Sequence, residues 1–243
     1  ALEAAIAAGH DDLRPVLEPL LSDPVRSVRS AAAWALRDRL DLTHPAGRDL
    51  LHMLQWNADQ PTGQMQLGQF LWSRGDINAA AGHMETAIRW DPNSPPFHHD
   101  LAVLQSMKGD TAAAIKSLQA AIRLAPQEAE YHYNLGLAWS ESGQPDLTIH
   151  SLREAVRCAP RFSRAWYNLG LALHAKGQSQ EALDALAKGE AADASDASIP
   201  FAAATIFAQT GQKPEAIAAA TRALKIQPNH GEARQLLLSL SLQ

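Results

Sequence analysis

The chain has 243 residues, a formal net charge of −5 and 46% apolar residues, and its Lys and Arg form no run. That length fits one or two compact domains or one elongated repeat array, and the charge balance argues against an electrostatic nucleic-acid footprint. A single cysteine, Cys158, excludes an internal disulfide framework, a multi-cysteine metal site and a covalent c-type haem. No apolar run is long enough for membrane insertion. Alanine, leucine and glutamine are plentiful and β-branched residues few, which favours helix over strand. The start at Ala1, without Met and in mid-helical pattern, reads as an excised piece of a longer chain, so a missing signal peptide says nothing about localisation.

Residues 1–44 have a grammar of their own. LRPVLEPLLSDPVRSVRSAAAWAL, Leu13 to Leu36, reads as an apolar helix, an Asp-Pro break, then V-R-x-x-A-A-x-A-L. Val28, Ala31, Ala32 and Leu36 recur at helical spacing, while Arg26, Arg29 and Arg37 suit a wetter face. This segment resembles a HEAT repeat, a helical hairpin, and Ala1 to Gly9 fits the tail of a preceding HEAT helix. Asp11 and Asp12 read as surface carboxylates. Thr43-His44-Pro45 is the expected break before a linking helix in 45–60, where Ala46, Leu50 and Met53 keep the rhythm of a degenerate second repeat helix.

From residue 61 to 228 the chain repeats itself at an offset of 34. Prolines fall at Pro92, Pro126, Pro160 and Pro228, with Ala194 on the vacant rung, and glycines at Gly75, Gly109, Gly143, Gly177 and Gly211. Small residues recur at Ala80, Ala114, Thr148, Ala182 and Ala216, and again at Ala87, Ala121, Ala155, Gly189 and Ala223. Each unit reads as two helices around a tight turn. In the unit from Ala129, Gly143 is placed to end the first helix in a left-handed conformation, Pro145 to open the second, and Pro160 to stop it. Residues 229–243, with GEARQLLLSLSL, read as a helix capping the open end of the array.

These markers resemble the tetratricopeptide repeat (TPR) family, with good matches at Trp166, Leu169, Gly170 and Leu173 and at Leu135, Gly136 and Trp139. The departures are Ala102 and Ala204 in place of the helix-contact glycine, and Pro200 in place of a large residue. The expected fold is all-α: a right-handed α-α superhelical solenoid of five TPR helix-turn-helix units, continuous with the N-terminal HEAT-like hairpin. The HEAT-to-TPR order also resembles the C-terminal part of some bacterial multihaem cytochrome c proteins. That resemblance implies a periplasmic or exported location and an accessory role in a larger redox protein; without it a cytoplasmic location follows.

Ten histidines raise a metal hypothesis. His98 and His99 point about 100° apart on a helix and cannot chelate one ion well. His132 repeats the position of His98, which is large and packed in TPR units, so a structural histidine is expected. No H-E-x-x-H, G-x-S-x-G elbow or phosphate-cradling glycine loop occurs. Cys158 sits at a helix C-terminus, which disfavours a thiolate. The reading is no enzyme, no metal and no cofactor.

What remains is the face of each first helix opposite its packed stripe, which lines the groove in the resembled family. Here it carries Met65, Gln69 and Trp72, then His99, Val103 and Met107, then Tyr133, Leu137 and Ser140. It continues with Tyr167, Leu171 and His174, then Phe201, Thr205 and Gln209. A flanking row of Gln66, Asp100, Asn134 and Asn168 adds side chains that offer donors and acceptors to a peptide backbone. The position that holds Lys in a carboxylate clamp carries Met65, His99, Tyr133, Tyr167 and Phe201 instead. The expected partner is a protein or peptide segment with apolar anchors rather than an acidic C-terminus. The alternatives are a module packed on its own catalytic domain, or self-association.

Overall fold

The computed structural model describes residues 13–241. Ala1 to Gly9, Asp11 and Asp12, and Leu242 at the end of the capping segment lie outside the described residues. The chain divides into two compact units between Ser117 and Leu118.

The N-terminal unit opens with α1 (Arg14–Leu17), a 3-10 turn (Glu18–Ser22) and α2 (Arg26–Ala35). The apolar stretch expected as one helix is thus a single α turn followed by a tighter one. Pro19 explains it: it has no N–H for residue 15, and its ring collides with that carbonyl in an α-helix. The Asp-Pro break is present, and Asp23 Oδ1 accepts from the Val25 amide at 2.8 Å. Arg29 is not on a wet face. Its Nε and Nη2 meet Asp49 Oδ2 at 3.0 and 2.8 Å, and Nη1 donates to the Asp23 and Pro24 carbonyls. Helical spacing places Arg29 on α2 but cannot show that Asp49 waits for it on the next helix. Ala32 and Ala33 are the fully buried residues of α2, whereas Ala31 is exposed.

Next come α3 (Pro45–Trp56), α4 (Pro61–Ser73), α5 (Ile77–Trp90) and α6 (Pro95–Met107). His44 Nδ1 accepts from the Ala46 amide and Pro45 opens α3, which buries Ala46, Leu50 and Leu54. α7 (Thr111–Leu124) carries the division between the units. The C-terminal unit continues with α8 (Ala129–Glu141), α9 (Pro145–Cys158), α10 (Ser163–Ala175) and α11 (Ser179–Ala192). It ends with α12 (Ser198–Gln209), α13 (Lys213–Ile226) and α14 (Gly231–Ser241). Among the described residues there is no strand. The fold is all-α, a solenoid of helix-turn-helix repeats.

All five turn glycines adopt positive φ, from +69° at Gly143 to +86° at Gly75. Each ends its helix in the same way. The Gly143 amide donates to Ser140 O at 3.1 Å and the Gln144 amide to Trp139 O at 2.9 Å, satisfying carbonyls the helix end leaves open. A Cβ on Gly143 would meet nothing within 4 Å, so the requirement is purely conformational. Gly143→Ala is therefore expected to cost about 1–2 kcal/mol, read as a lower urea midpoint, and Gly143→Asn to recover part of it. Equal midpoints for wild type and Gly143→Ala would show that the turn tolerates another geometry.

A second regularity concerns the fourth residue of each first helix. His98 Nε2 lies 2.9 Å from Pro92 O, and His132 Nε2 2.9 Å from Pro126 O. Trp166 Nε1 donates to Pro160 O at 2.9 Å, Arg234 Nη2 to Pro228 O at 2.7 Å and Gln64 Nε2 to Ala58 O at 2.5 Å. A carbonyl only accepts, so both histidines carry their hydrogen on Nε2. Four residue types thus serve the same purpose, each supplying an N–H that satisfies the loop carbonyl six residues earlier. Pro200 holds this position in the fifth repeat and has no such donor.

In the C-terminal unit one apolar cluster runs from Tyr133 to Ala220, with Leu152, Leu169, Leu186 and Ile199 at its centre. Burying such a Leu or Ile side chain contributes about 1.5–3 kcal/mol each. Leu236 and Leu237 of α14 pack against the cluster, while Leu238 stays 59% exposed.

Candidate functional site: the faces of the first helices

In the N-terminal unit the face is carried by α4 and α6. Met65 and Trp72 are half-buried against the cluster around Met84 and Leu101. Gln69 Nε2 donates to Asp100 Oδ2 at 2.9 Å, and His99 Nδ1 sits 3.4 Å from Asp100 Oδ1. Gln66 Oε1 accepts from Asn57 Nδ2 at 3.4 Å. The polar members of this stripe are thus largely spent on one another. Val103 is half-buried, and Met107 is its most exposed apolar member at 53%.

In the C-terminal unit the face belongs to α8, α10 and α12. Tyr133 is not at its surface. The ring is 8% exposed, part of the core cluster, and packs on Phe162 with centroids 4.8 Å apart. The Arg164 guanidinium lies 5.7 Å over the Tyr133 ring, and Asn168 Nδ2 donates to the Tyr133 hydroxyl at 3.0 Å. A second bond, Asn168 Nδ2 to Arg164 O at 3.1 Å, commits the other amide hydrogen. Asn134 is half-buried and already engaged. Phe162 and Arg164 were absent from the sequence-derived set; an aromatic just before a helix start is the one signal that points to them.

Beyond Tyr133 the face opens. Leu137 and Tyr167 are half-buried on the cluster, and Leu171 is 39% exposed. Burial, then the Asp196 carboxylate, pushes the Tyr167 hydroxyl above the usual phenol range, so it stays protonated and can donate. His174 bridges Ser179 Oγ at 3.2 Å and Gln209 Oε1 at 2.7 Å. Phe201 lies 4.7 Å from the His230 ring, and Thr205 Oγ1 donates to Phe201 O at 3.1 Å. The structure therefore brings together Tyr133 with Asn168, and His174 with Gln209, as ties between successive first helices. It leaves Leu137, Tyr167 and Leu171 as an apolar step. Among the described residues no group of three or more His, Cys, Asp or Glu converges as a metal site would, and no helix is long and apolar enough to cross a membrane.

Residues 71–136 and 151–184 each match a family model described as tetratricopeptide repeat. Several solved structures share the fold. MamA of Desulfovibrio magneticus RS-1 is 20% identical, over 71% of this chain and 98% of that one, with a TM-score of 0.65. YrrB, described as a TPR protein with an unusual peptide-binding site, is 20% identical over 79% and 97%, with a TM-score of 0.64. PilF of Pseudomonas aeruginosa is 20% identical over 75% and 89%, with a TM-score of 0.63. No curated protein matches the sequence. With the glycine turns, the helix pairs and both family matches in agreement, the chain carries tetratricopeptide repeats, matched over residues 71–136 and 151–184.

Proposed function

We propose that the chain is a non-enzymatic interaction scaffold that binds a peptide or protein segment on the first-helix face of its C-terminal unit. The observation that carries this reading is Leu171, 39% exposed on a helix whose other apolar residues are mostly drawn inward. Leu137 and Tyr167 lie on the same side and give an apolar anchor its floor. Asn168 has both amide hydrogens committed, so it meets a backbone N–H through its carbonyl oxygen. The protonated Tyr167 hydroxyl supplies the complementary donor. The ties His174–Gln209 and Tyr133–Asn168 hold neighbouring first helices in place before a ligand arrives, which lowers the ordering cost of binding. The fold is one that YrrB uses for a peptide-binding site.

The test is selection of a displayed random-peptide library on the wild-type chain, followed by titration of the selected peptide against variants. Leu171→Asp and Tyr167→Ala are each expected to weaken it at least about tenfold, with helicity unchanged by circular dichroism. Unaltered affinity in both variants would remove this face as the binding site.

A further inference from the structure

In the third repeat, Cys158 closes the space between the end of α9 and the loop entering α8. Its Sγ lies 4.0 Å from Pro126 O and 3.8 Å from Gln127 Oε1, and neighbouring Arg157 is paired with Glu154 at 2.9 Å. One repeat later, 34 residues on, the equivalents of Glu154, Arg157 and Cys158 are Lys188, Ala191 and Ala192, and the equivalent of Gln127 is Arg161. Two side chains that filled the space are reduced to methyl groups. The result is a cleft of about 600 Å³ lined by Pro160, Arg161, Trp166, Lys188, Ala191 and Ala192.

Its wall is fixed. Trp166 is held by the bond from Nε1 to Pro160 O, and its Cβ sits close against Gly189 of α11, where an added Cβ would stand only 3.1 Å away. The charge at the mouth has changed as well. A neutral amide and a self-paired Glu–Arg become two exposed cations. Lys188 Nζ rests 4.9 Å over the Trp166 ring, and neither Lys188 nor Arg161 has a carboxylate partner among the described residues. Glu190, the acidic neighbour on α11, is committed to Arg222 through two bonds of 2.7 and 3.1 Å.

We propose that this cleft binds an acidic peptide segment of a partner protein. A Glu or Asp carboxylate meets Arg161 and Lys188, and the apolar side chain beside it rests on Pro160, Ala191 and Ala192. Charge complementarity selects the anion, because a guanidinium and an ammonium at one mouth favour a carboxylate held from two sides. The mainly apolar lining selects a peptide over a small inorganic anion, which would leave that surface wet. The site is separate from the first-helix face and does not depend on it.

The test is fluorescence polarisation with a short labelled peptide of alternating Glu and Leu, set against its Gln–Leu counterpart. The Glu peptide is expected to bind saturably and the Gln peptide at least about tenfold more weakly. Arg161→Glu and Lys188→Glu are each expected to lose at least about tenfold in affinity. Ala192→Leu keeps both charges and fills the cleft with the residue that Leu124 places at the equivalent position two repeats earlier; with helicity unchanged by circular dichroism, it is expected to weaken binding likewise. Leu171→Asp leaves binding unchanged. The proposal is overturned by no saturable binding of the Glu peptide, by full affinity in Ala192→Leu, or by equal displacement with inorganic phosphate. Loss of binding in Leu171→Asp overturns it too, by transferring the peptide to the other face.

Discussion

Gly170→Ala is expected to destabilise the C-terminal unit by about 1–3 kcal/mol, read as a lower urea midpoint with native helicity before the transition. A Cβ at residue 170 would stand 2.7 Å from Leu186 Cγ, 2.9 Å from its Cδ2 and 3.1 Å from the Ala182 carbonyl oxygen. Leu186 is fully buried and part of the continuous cluster, so it has nowhere to move, and the carbonyl belongs to the backbone of α11. The only relief is for α10 and α11 to separate. The fifth repeat shows how the chain itself handles a larger residue there. Ala204 occupies the equivalent of Gly170, and Ala220 the equivalent of Leu186, both at 0% exposure in the same cluster. Volume has moved from one helix to the other. Leu186→Ala alone is expected to cost about 2–5 kcal/mol through the cavity it leaves. Gly170→Ala/Leu186→Ala, which copies the fifth repeat, is expected to cost less than the sum by about 0.5–3 kcal/mol. Strict additivity in that cycle would show that the two positions do not share space.

The same pair illustrates what one sequence makes legible. A glycine with a repeating left-handed requirement is readable because so few residues tolerate that conformation, and all five turn glycines stand where the ladder places them. Gly136 and Gly170 were also readable as sites of close helix contact, and Leu152 and Leu186 are the side chains that press on them. Other features were hidden because they depend on a chemical property shared by dissimilar residues, or on partners a full repeat away. Gln64, His98, His132, Trp166 and Arg234 look unrelated in one letter, yet each places an N–H on the loop carbonyl before its helix. The ties Gln69–Asp100 and His174–Gln209 join residues 31 and 35 apart, so no helical periodicity points to them. The α1 segment failed for a local reason: its apolar spacing is helical, but Pro19 denies the α-helix its hydrogen bond. The N-terminal face was expected to be open to a ligand, and there Gln66, Gln69 and Asp100 turned out to be occupied by neighbours.

Tyr133 shows the same limit with a larger consequence for function. Helical geometry puts it on the groove side of α8, beside Leu137, and a long side chain there has two choices: lie in the groove or reach sideways. It reaches sideways, to Phe162 and the start of α10, and is 8% exposed. Tyr133→Ala is therefore expected to cost about 3–5 kcal/mol, the loss for removing a buried aromatic ring. Tyr133→Phe keeps the ring, its contact with Phe162 and its place beneath Arg164, and removes only the hydroxyl. Asn168 Nδ2 then retains its bond to Arg164 O, so that variant is expected to lose only about 0.5–1.5 kcal/mol. Chemical denaturation of both variants decides between the two placements. A loss below about 1 kcal/mol in Tyr133→Ala would return the ring to the groove. If the large loss is found, Tyr133→Ala is a poor probe of binding, because any lost affinity would follow from a loosened α8–α10 contact. Tyr133→Phe then becomes the informative variant. It removes the hydroxyl tie to Asn168 but keeps the ring contacts with Phe162 and Arg164 that also join α8 to α10, so on the proposed face it is expected to leave the affinity for a bound peptide nearly unchanged.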